Sequence, residues 1–247
     1  MNPPLRGRTL VMPGGSRGAG TAIALAAARQ GAHIVFDADP ADAGPVVAGI
    51  EAAGGQALVV GALRDEAGVG AAIDAVVARF GGIDIVVDNT DAVEPGAPAV
   101  TLAEFEDRQQ CRLRATLLVT RAALPLLRRS NNPHILAVAP PLNLAGQPRD
   151  AQSPSMLATY GMTLLTLGFA SELRAAGIAA NCLWPHALPA TVALGPRPAP
   201  DFDPPALAAA AVRVLAGRAA VDSGETHLDV DVLGDPDPTG RVVDTVR

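Results

Sequence analysis

The chain has 247 residues, 49% of them hydrophobic and only 3% aromatic, and a net charge of −6 at pH 7. That length suits one large α/β domain over residues 1–247, with a core built from Ala, Val, Leu and Ile. The acidic balance argues against nucleic acid as a main partner, no run reaches the roughly 18 apolar residues of a membrane span, and all 19 basic residues are Arg, which excludes chemistry that needs a lysine ammonium.

Thr9-Leu10-Val11-Met12 is an apolar run short enough for a buried strand. After a glycine turn, Ala-rich sequence of high helix propensity runs to about Arg29. His33 to Phe36 reads as a second strand, ended by Asp37-Ala38-Asp39-Pro40, and Asp42 to Ala53 as a small helix stopped by Gly54-Gly55. Ala57 to Val60 is a third strand. Val69, Ile73, Val76 and Val77 recur at helical spacing between Glu66 and Phe80, and Gly81-Gly82 closes that helix. Ile83 to Val87 is a fourth strand. Thr101, with Glu104 as a capping-box partner, starts a long helix towards Arg129. His134 to Val138 is a fifth strand, Pro154 to about Ala176 a helix stopped by Gly177, and Ile178 to Leu183 a sixth strand. The Pro-rich stretch Pro185 to Pro205 exceeds a plain connection and reads as a lid or as locally disordered. Ala206 to Ala216 is helical, Thr226 to Val232 alternates as a last strand, and the segment from Asp235 to Gly240 reads as solvated coil. This order predicts a doubly wound, seven-stranded parallel sheet in a single-domain Rossmann fold, with ligand at the carboxyl ends of the strands.

The chemistry starts at Gly14, Gly18 and Gly20, spaced G-x-x-x-G-x-G between the first strand and the first helix. Glycines let the backbone turn tightly and approach a pyrophosphate, and a helix N-terminus offers N–H groups and partial positive charge to it. A P-loop does not compete, because it needs Lys. Gly14-Gly15-Ser16-Arg17-Gly18 also matches the G-x-S-x-G elbow of serine hydrolases, with His186 and His227 downstream. That elbow would sit on the first strand. Cys111 and Cys182 match no metal or C-x-x-C spacing, and two isolated thiols fit a reducing cytoplasm. His33 and His134 read as ordinary surface or edge residues, so no metal is expected. Met1 to Arg6 lacks the apolar core of a signal peptide.

Over nearly its whole length the chain resembles the short-chain dehydrogenases/reductases, and more narrowly their hydroxysteroid dehydrogenase-like branch. The resemblance rests on Gly14 to Gly20, on Phe80-Gly81-Gly82-Ile83-Asp84-Ile85-Val86-Val87-Asp88-Asn89, on His134-Ile135-Leu136 with Pro140 to Leu144, and on Tyr160-Gly161-Met162 followed by Asn181-Cys182-Leu183-Trp184-Pro185. It explains the glycine turn better than a hydrolase elbow does. It implies an NAD(P)-dependent alcohol/carbonyl oxidoreductase ancestry and a homodimer or homotetramer assembled through the two long helices.

The resemblance also implies a catalytic tetrad, and here the sequence departs from it. The family's Tyr position falls on Ser155, its Lys on Thr159, its Ser on Ala139 and its Asn on Arg112. A Tyr hydroxyl has an unperturbed pKa of roughly 10, so it needs a nearby ammonium that this chain does not contain. Tyr160 lies five residues further along the helix, about 500° round it, and faces away from Ser155. Cofactor positions are better kept. Gly14, Ser16, Arg17, Gly18, Ala19 and Gly20 are expected to cradle phosphate and ribose. Asp37 and Asp39 flank Ala38, where NAD-preferring relatives carry an acid, and carboxylates there favour NAD over NADP; as alternatives, they are loop or helix-cap acids. The Asn-Asn-Ala-Gly stretch reads Asp88-Asn89-Thr90-Asp91, the Asp near the adenine becomes Ala62, the Pro-Gly turn becomes Pro185-His186, and Thr191 stands where relatives bond the carboxamide. These changes imply a weakened NAD site. Arg112 would hold an anionic small molecule in the old substrate pocket, or would turn to a neighbouring acid or solvent. The resulting expectation is a catalytically impaired binding or assembly protein. The alternative is an active oxidoreductase with a non-standard proton donor.

Overall fold

The computed structural model describes residues 3–89, 101–109, 113–139, 153–186 and 203–234. Short apolar runs alternate with Ala-rich segments, and each run becomes a strand of one sheet. The elements are β1 (Thr9–Met12), α1 (Gly18–Arg29), β2 (His33–Asp37), α2 (Pro40–Ala52), β3 (Gln56–Val60), α3 (Glu66–Phe80), β4 (Ile85–Asp88), α4 (Leu102–Gln109), α5 (Ala115–Leu127), β5 (His134–Val138), α6 (Ser153–Leu173), β6 (Ala179–Trp184), α7 (Pro204–Ala216), β7 (Thr226–Leu228) and α8 (Asp229–Leu233). Among the described residues the sheet is 7-stranded in the order β3-β2-β1-β4-β5-β6-β7. Every pairing is parallel. The expected doubly wound Rossmann architecture is therefore the observed one, and all strands deliver their carboxyl ends to one edge.

Side chains alternate between two apolar layers, as the two-residue period of a strand requires. Leu10, Met12, Ile34, Phe36, Ile85, Val87 and Leu136 pack with α1, α2 and α7. Val11, Val35, Val86 and Ile135 face the other way, onto α3, α5 and α6. Small residues let helices approach closely on the first face: Ala24, Ala27 and Ala28 of α1 share a cluster with Ala208, Ala210 and Ala211 of α7.

The amino edge is closed by polar side chains. Arg8 Nη1 donates to the carbonyl of Leu215 at 2.8 Å. Asn132 Nδ2 donates to Gly217 O at 2.8 Å, and its Oδ1 accepts from Ala219 N at 2.8 Å. Asp84 accepts from Thr9 N at 2.8 Å and from Ser130 Oγ at 2.5 Å. His134 Nε2 lies 3.2 Å from Gly217 O, so that nitrogen carries the proton. His134 is buried, not a surface residue as expected, because it opens β5 in the middle of the sheet. Burial, then the nearby Arg8 charge, lowers its pKa to about 4.

Two other expectations are corrected. The last strand stops at Leu228 rather than Val232; Asp229 begins α8, and its Oδ1 accepts from Val230 N at 2.8 Å. Apolar-polar alternation there is overridden by an acid that turns the chain. The helix expected from Thr101 to Arg129 is described as α4 and α5, with a wider π turn at residues 113–114 before α5. The stretch 187–202 of the Pro-rich segment and residues 235–240 lie outside the described residues. No helix among the described residues is long and apolar enough to cross a membrane.

Candidate dinucleotide site at the carboxyl edge

The glycine turn leaves β1 and enters α1. Gly14 has φ 75°, a left-handed conformation suited to glycine. A Cβ on Gly20 would lie 2.3 Å from Gly14 O and 2.9 Å from Asn89 Nδ2, so only glycine fits where α1 crosses the turn. The turn is braced from within by Gly15 N donating to Met12 O at 3.2 Å and by Thr21 Oγ1 donating to Gly15 O at 3.3 Å. Asn89, just beyond β4, donates its N–H to Pro13 O at 3.1 Å and its Nδ2 to Gly14 O at 3.4 Å. Asn89 therefore ties the β4 end to the turn.

The start of α1 fits an anion. Its N-cap residue Arg17 is extended and makes no side-chain capping bond, and the first helical turn contains no acid. The leading N–H groups thus meet no carboxylate from their own turn, and the helix adds partial positive charge. Ser16 is half-buried, Arg17 exposed and Ala19 buried in this turn. The cradle fits the phosphates of a dinucleotide.

Both acids at the end of β2 have partners inside the protein. Asp37 Oδ1 accepts from Gly14 N at 2.8 Å, which couples this carboxylate to the glycine turn. Asp39 is the N-cap of α2 and accepts from Ala41 N at 3.0 Å. Ala38 sits between them. At the end of β4 the buried Asp88 accepts a hydrogen bond from Thr116 Oγ1 of α5.

The positions on which the resemblance places a tetrad differ in what they offer. Ala139 follows β5, is buried, and donates its N–H to Leu183 O at 3.1 Å, presenting only a methyl group as side chain. Ser155 and Thr159 lie within α6. Arg112 and Thr191 lie outside the described residues, as does Cys111. Cys182 is buried in β6, and burial pushes its thiol up to about 12, so it is no nucleophile.

Sequence reasoning did not single out Asp229. Pro185-His186 leaves β6 at the carboxyl edge, and β7 lies beside β6 with Trp184 opposite Leu228. That register sets Asp229 next to the exit of β6. Its Oδ1 accepts from His186 N at 2.9 Å and lies 3.1 Å from His186 Nδ1, with Oδ2 at 3.3 Å. The carboxylate is 3% exposed and the imidazole 28% exposed. No spacing rule links an Asp to a His 43 residues earlier; only the parallel pairing of β6 and β7 brings them together.

A family model described as short chain dehydrogenase matches residues 8–196. The chain is 40% identical over 200 residues to hydroxysteroid dehydrogenase-like protein 2 of Danio rerio, a match covering 77% of this chain and 48% of that protein. It thus spans about half the length of that curated relative. Among solved structures, a short chain dehydrogenase from Mycobacterium thermoresistibile is 40% identical with a TM-score of 0.82, over 93% of this chain and 87% of that one. Carveol dehydrogenase from Mycobacterium avium, solved in complex with NAD, is 17% identical with a TM-score of 0.79, over 91% and 96% of the two chains, and shares the fold.

Proposed function

The chain belongs to the short-chain dehydrogenase/reductase family, and from that premise we propose that it holds a nicotinamide dinucleotide at the carboxyl edge without the family's own proton route. One contrast carries the reading: an intact glycine turn with an uncapped helix N-terminus, against a buried methyl at Ala139 in a chain with no lysine. When bound, the dinucleotide supplies a hydride acceptor or donor. The N–H groups opening α1 and the turn from Gly14 to Gly20 bind its phosphates. Asp37 and Asp39 set negative charge on both sides of Ala38, which accepts ribose hydroxyls and repels a 2′-phosphate, so NAD is favoured over NADP. Asn89 and Pro185 flank the site, and the resemblance assigns the carboxamide of nicotinamide to the Thr191 position.

Loss of positioned acid–base groups costs roughly 10²–10⁴-fold in rate. By the family's route, then, the protein binds and assembles rather than turns over. Assembly as a homodimer or homotetramer uses α5 and α6. Leu117 is 44% exposed, Leu157 56% and Leu164 64%, and Leu157 and Leu164 share one face of α6. By the resemblance Arg112 takes the Asn position of the old substrate pocket, which makes it the candidate for an anionic ligand, and Arg112→Ala is expected to abolish that binding. The buried, unpaired thiol of Cys182 supports a reducing cytoplasmic setting.

Titration with NAD, NADH and NADPH tests the reading. Trp184, buried at the end of β6, provides the fluorescence signal and calorimetry the stoichiometry. Saturable NADH binding is expected; absence of any dinucleotide binding sinks it. A second reading, turnover through another proton donor, is favoured by the contact of His186 with Asp229.

A further inference from the structure

The geometry points to His186, held by the buried Asp229, as the proton-transferring group of this site. This inference rests on the dinucleotide reading above and gives its second form a named donor. Asp229 Oδ1 accepts from the His186 backbone N–H at 2.9 Å and lies 3.1 Å from Nδ1 of the ring. An acceptor-only carboxylate so placed fixes the Nδ1–H tautomer and leaves Nε2 with a free lone pair. The same carboxylate stabilises the imidazolium once Nε2 takes a proton.

Position supports the role. Leu183 O accepts from Ala139 N, so the chain leaving β6 runs beside the position where the family's Ser would hold the substrate oxygen. His186 is three residues beyond Leu183, on the edge that carries the glycine turn. The imidazole reaches solvent while its partner does not. A buried acid spent on orienting an exposed imidazole is what a general base requires.

The step balances. In the oxidative direction the O–H bond of a secondary alcohol breaks and its proton moves to His186 Nε2. A bound nicotinamide dinucleotide would supply the acceptor for the hydride that the C–H bond gives up as the C–O bond becomes a carbonyl. Asp229 keeps the Nδ1 proton by hydrogen bond throughout, and the Nε2 proton then passes to water. Carbonyl reduction runs the same sequence backwards. His186 is the catalytic residue and Asp229 a positioning residue.

The first readout needs no activity. In ¹⁵N-histidine-labelled protein, with His186→Gln assigning the signal, His186 is expected to carry its neutral-form proton on Nδ1. Asp229→Asn is expected to disperse that tautomer. The second readout is turnover across a panel of secondary alcohols and ketones with NAD and NADH. His186→Gln is expected to bind NADH within about twofold of the parent while losing about 100-fold or more in turnover. Asp229→Asn is expected to fall in rate with the same affinity; should it not fold, the exposed His186→Gln carries the test. A proton on Nε2 in the parent, or turnover unchanged in His186→Gln, overturns the inference. NADH binding without turnover on the panel overturns it too and leaves the dinucleotide reading standing. No NADH binding at all overturns both.

Discussion

At Gly20 a single missing side chain decides whether the cleft exists. Its absent Cβ would sit 2.3 Å from a backbone oxygen, which cannot rotate away as a side chain would. Gly20→Ala should therefore force the turn open, costing about 1–3 kcal/mol of stability and at least tenfold in dinucleotide affinity, read by thermal unfolding and titration. Asp37 makes a finer prediction. Asn at this position still accepts from Gly14 N through its amide oxygen but carries no charge. Because that amide leaves no second oxygen for a ribose hydroxyl, Asp37→Asn should weaken NADH binding and narrow the preference over NADPH by about tenfold, or on the order of 1.4 kcal/mol, in competitive titrations. The glycine turn was legible in the sequence because its spacing, strand and helix coincide. The helix cap at Asp39 was among the readings the sequence offered, but the bond from Asp37 to the turn was not: the two acids sit two residues apart, yet one braces a turn and the other caps a helix. That division is set by where Gly14 lies, which spacing does not encode.

Among the elements, short buried strands and glycine-stopped helices were readable, since their periods differ and Gly81 and Gly177 take left-handed conformations at helix ends. The end of β7 was not readable. Thr226 to Val232 alternates well, but a tertiary contact from Asp229 to His186 competes with one more pair of ladder bonds. The helices α5 and α6 carry the assembly prediction. A charge at Leu164, on the same face as Leu157, should be tolerated by the fold because the position is exposed, and should disrupt pairing of copies. Leu164→Arg is expected to shift the protein to monomer in sedimentation while leaving its circular dichroism unchanged. An unchanged oligomer would move the interface elsewhere.

For the molecule as a whole, acid is the predicted weakness. Folding keeps His134 neutral, with a pKa of about 4 against 6.5 when free. Between those values the unfolded chain binds more protons than the folded one, so stability falls as pH drops through that window. The contribution is about 2 kcal/mol by pH 5 and about 3 kcal/mol by pH 4. Burial lowers the pKa of His33 and His227 as well, with the same sign. Urea unfolding midpoints at pH 7 and pH 5 measure the loss, and His134→Gln should flatten the difference. The global topology was legible, because parallel strands with right-handed crossovers leave few arrangements. The burial of His134 was not, because a polar residue at a strand start looks the same at the rim of a sheet and in its middle.

The ties made by Asn132, Arg8 and Asp84 fasten the sheet at the rim farthest from the glycine turn. Foldability and chemistry thus reside at opposite poles of the barrier formed by seven strands. A randomised library confined to exposed positions of the opposite rim, such as Arg17 and His186, should yield mostly well-folded members, making this scaffold a forgiving host for installing new reactions.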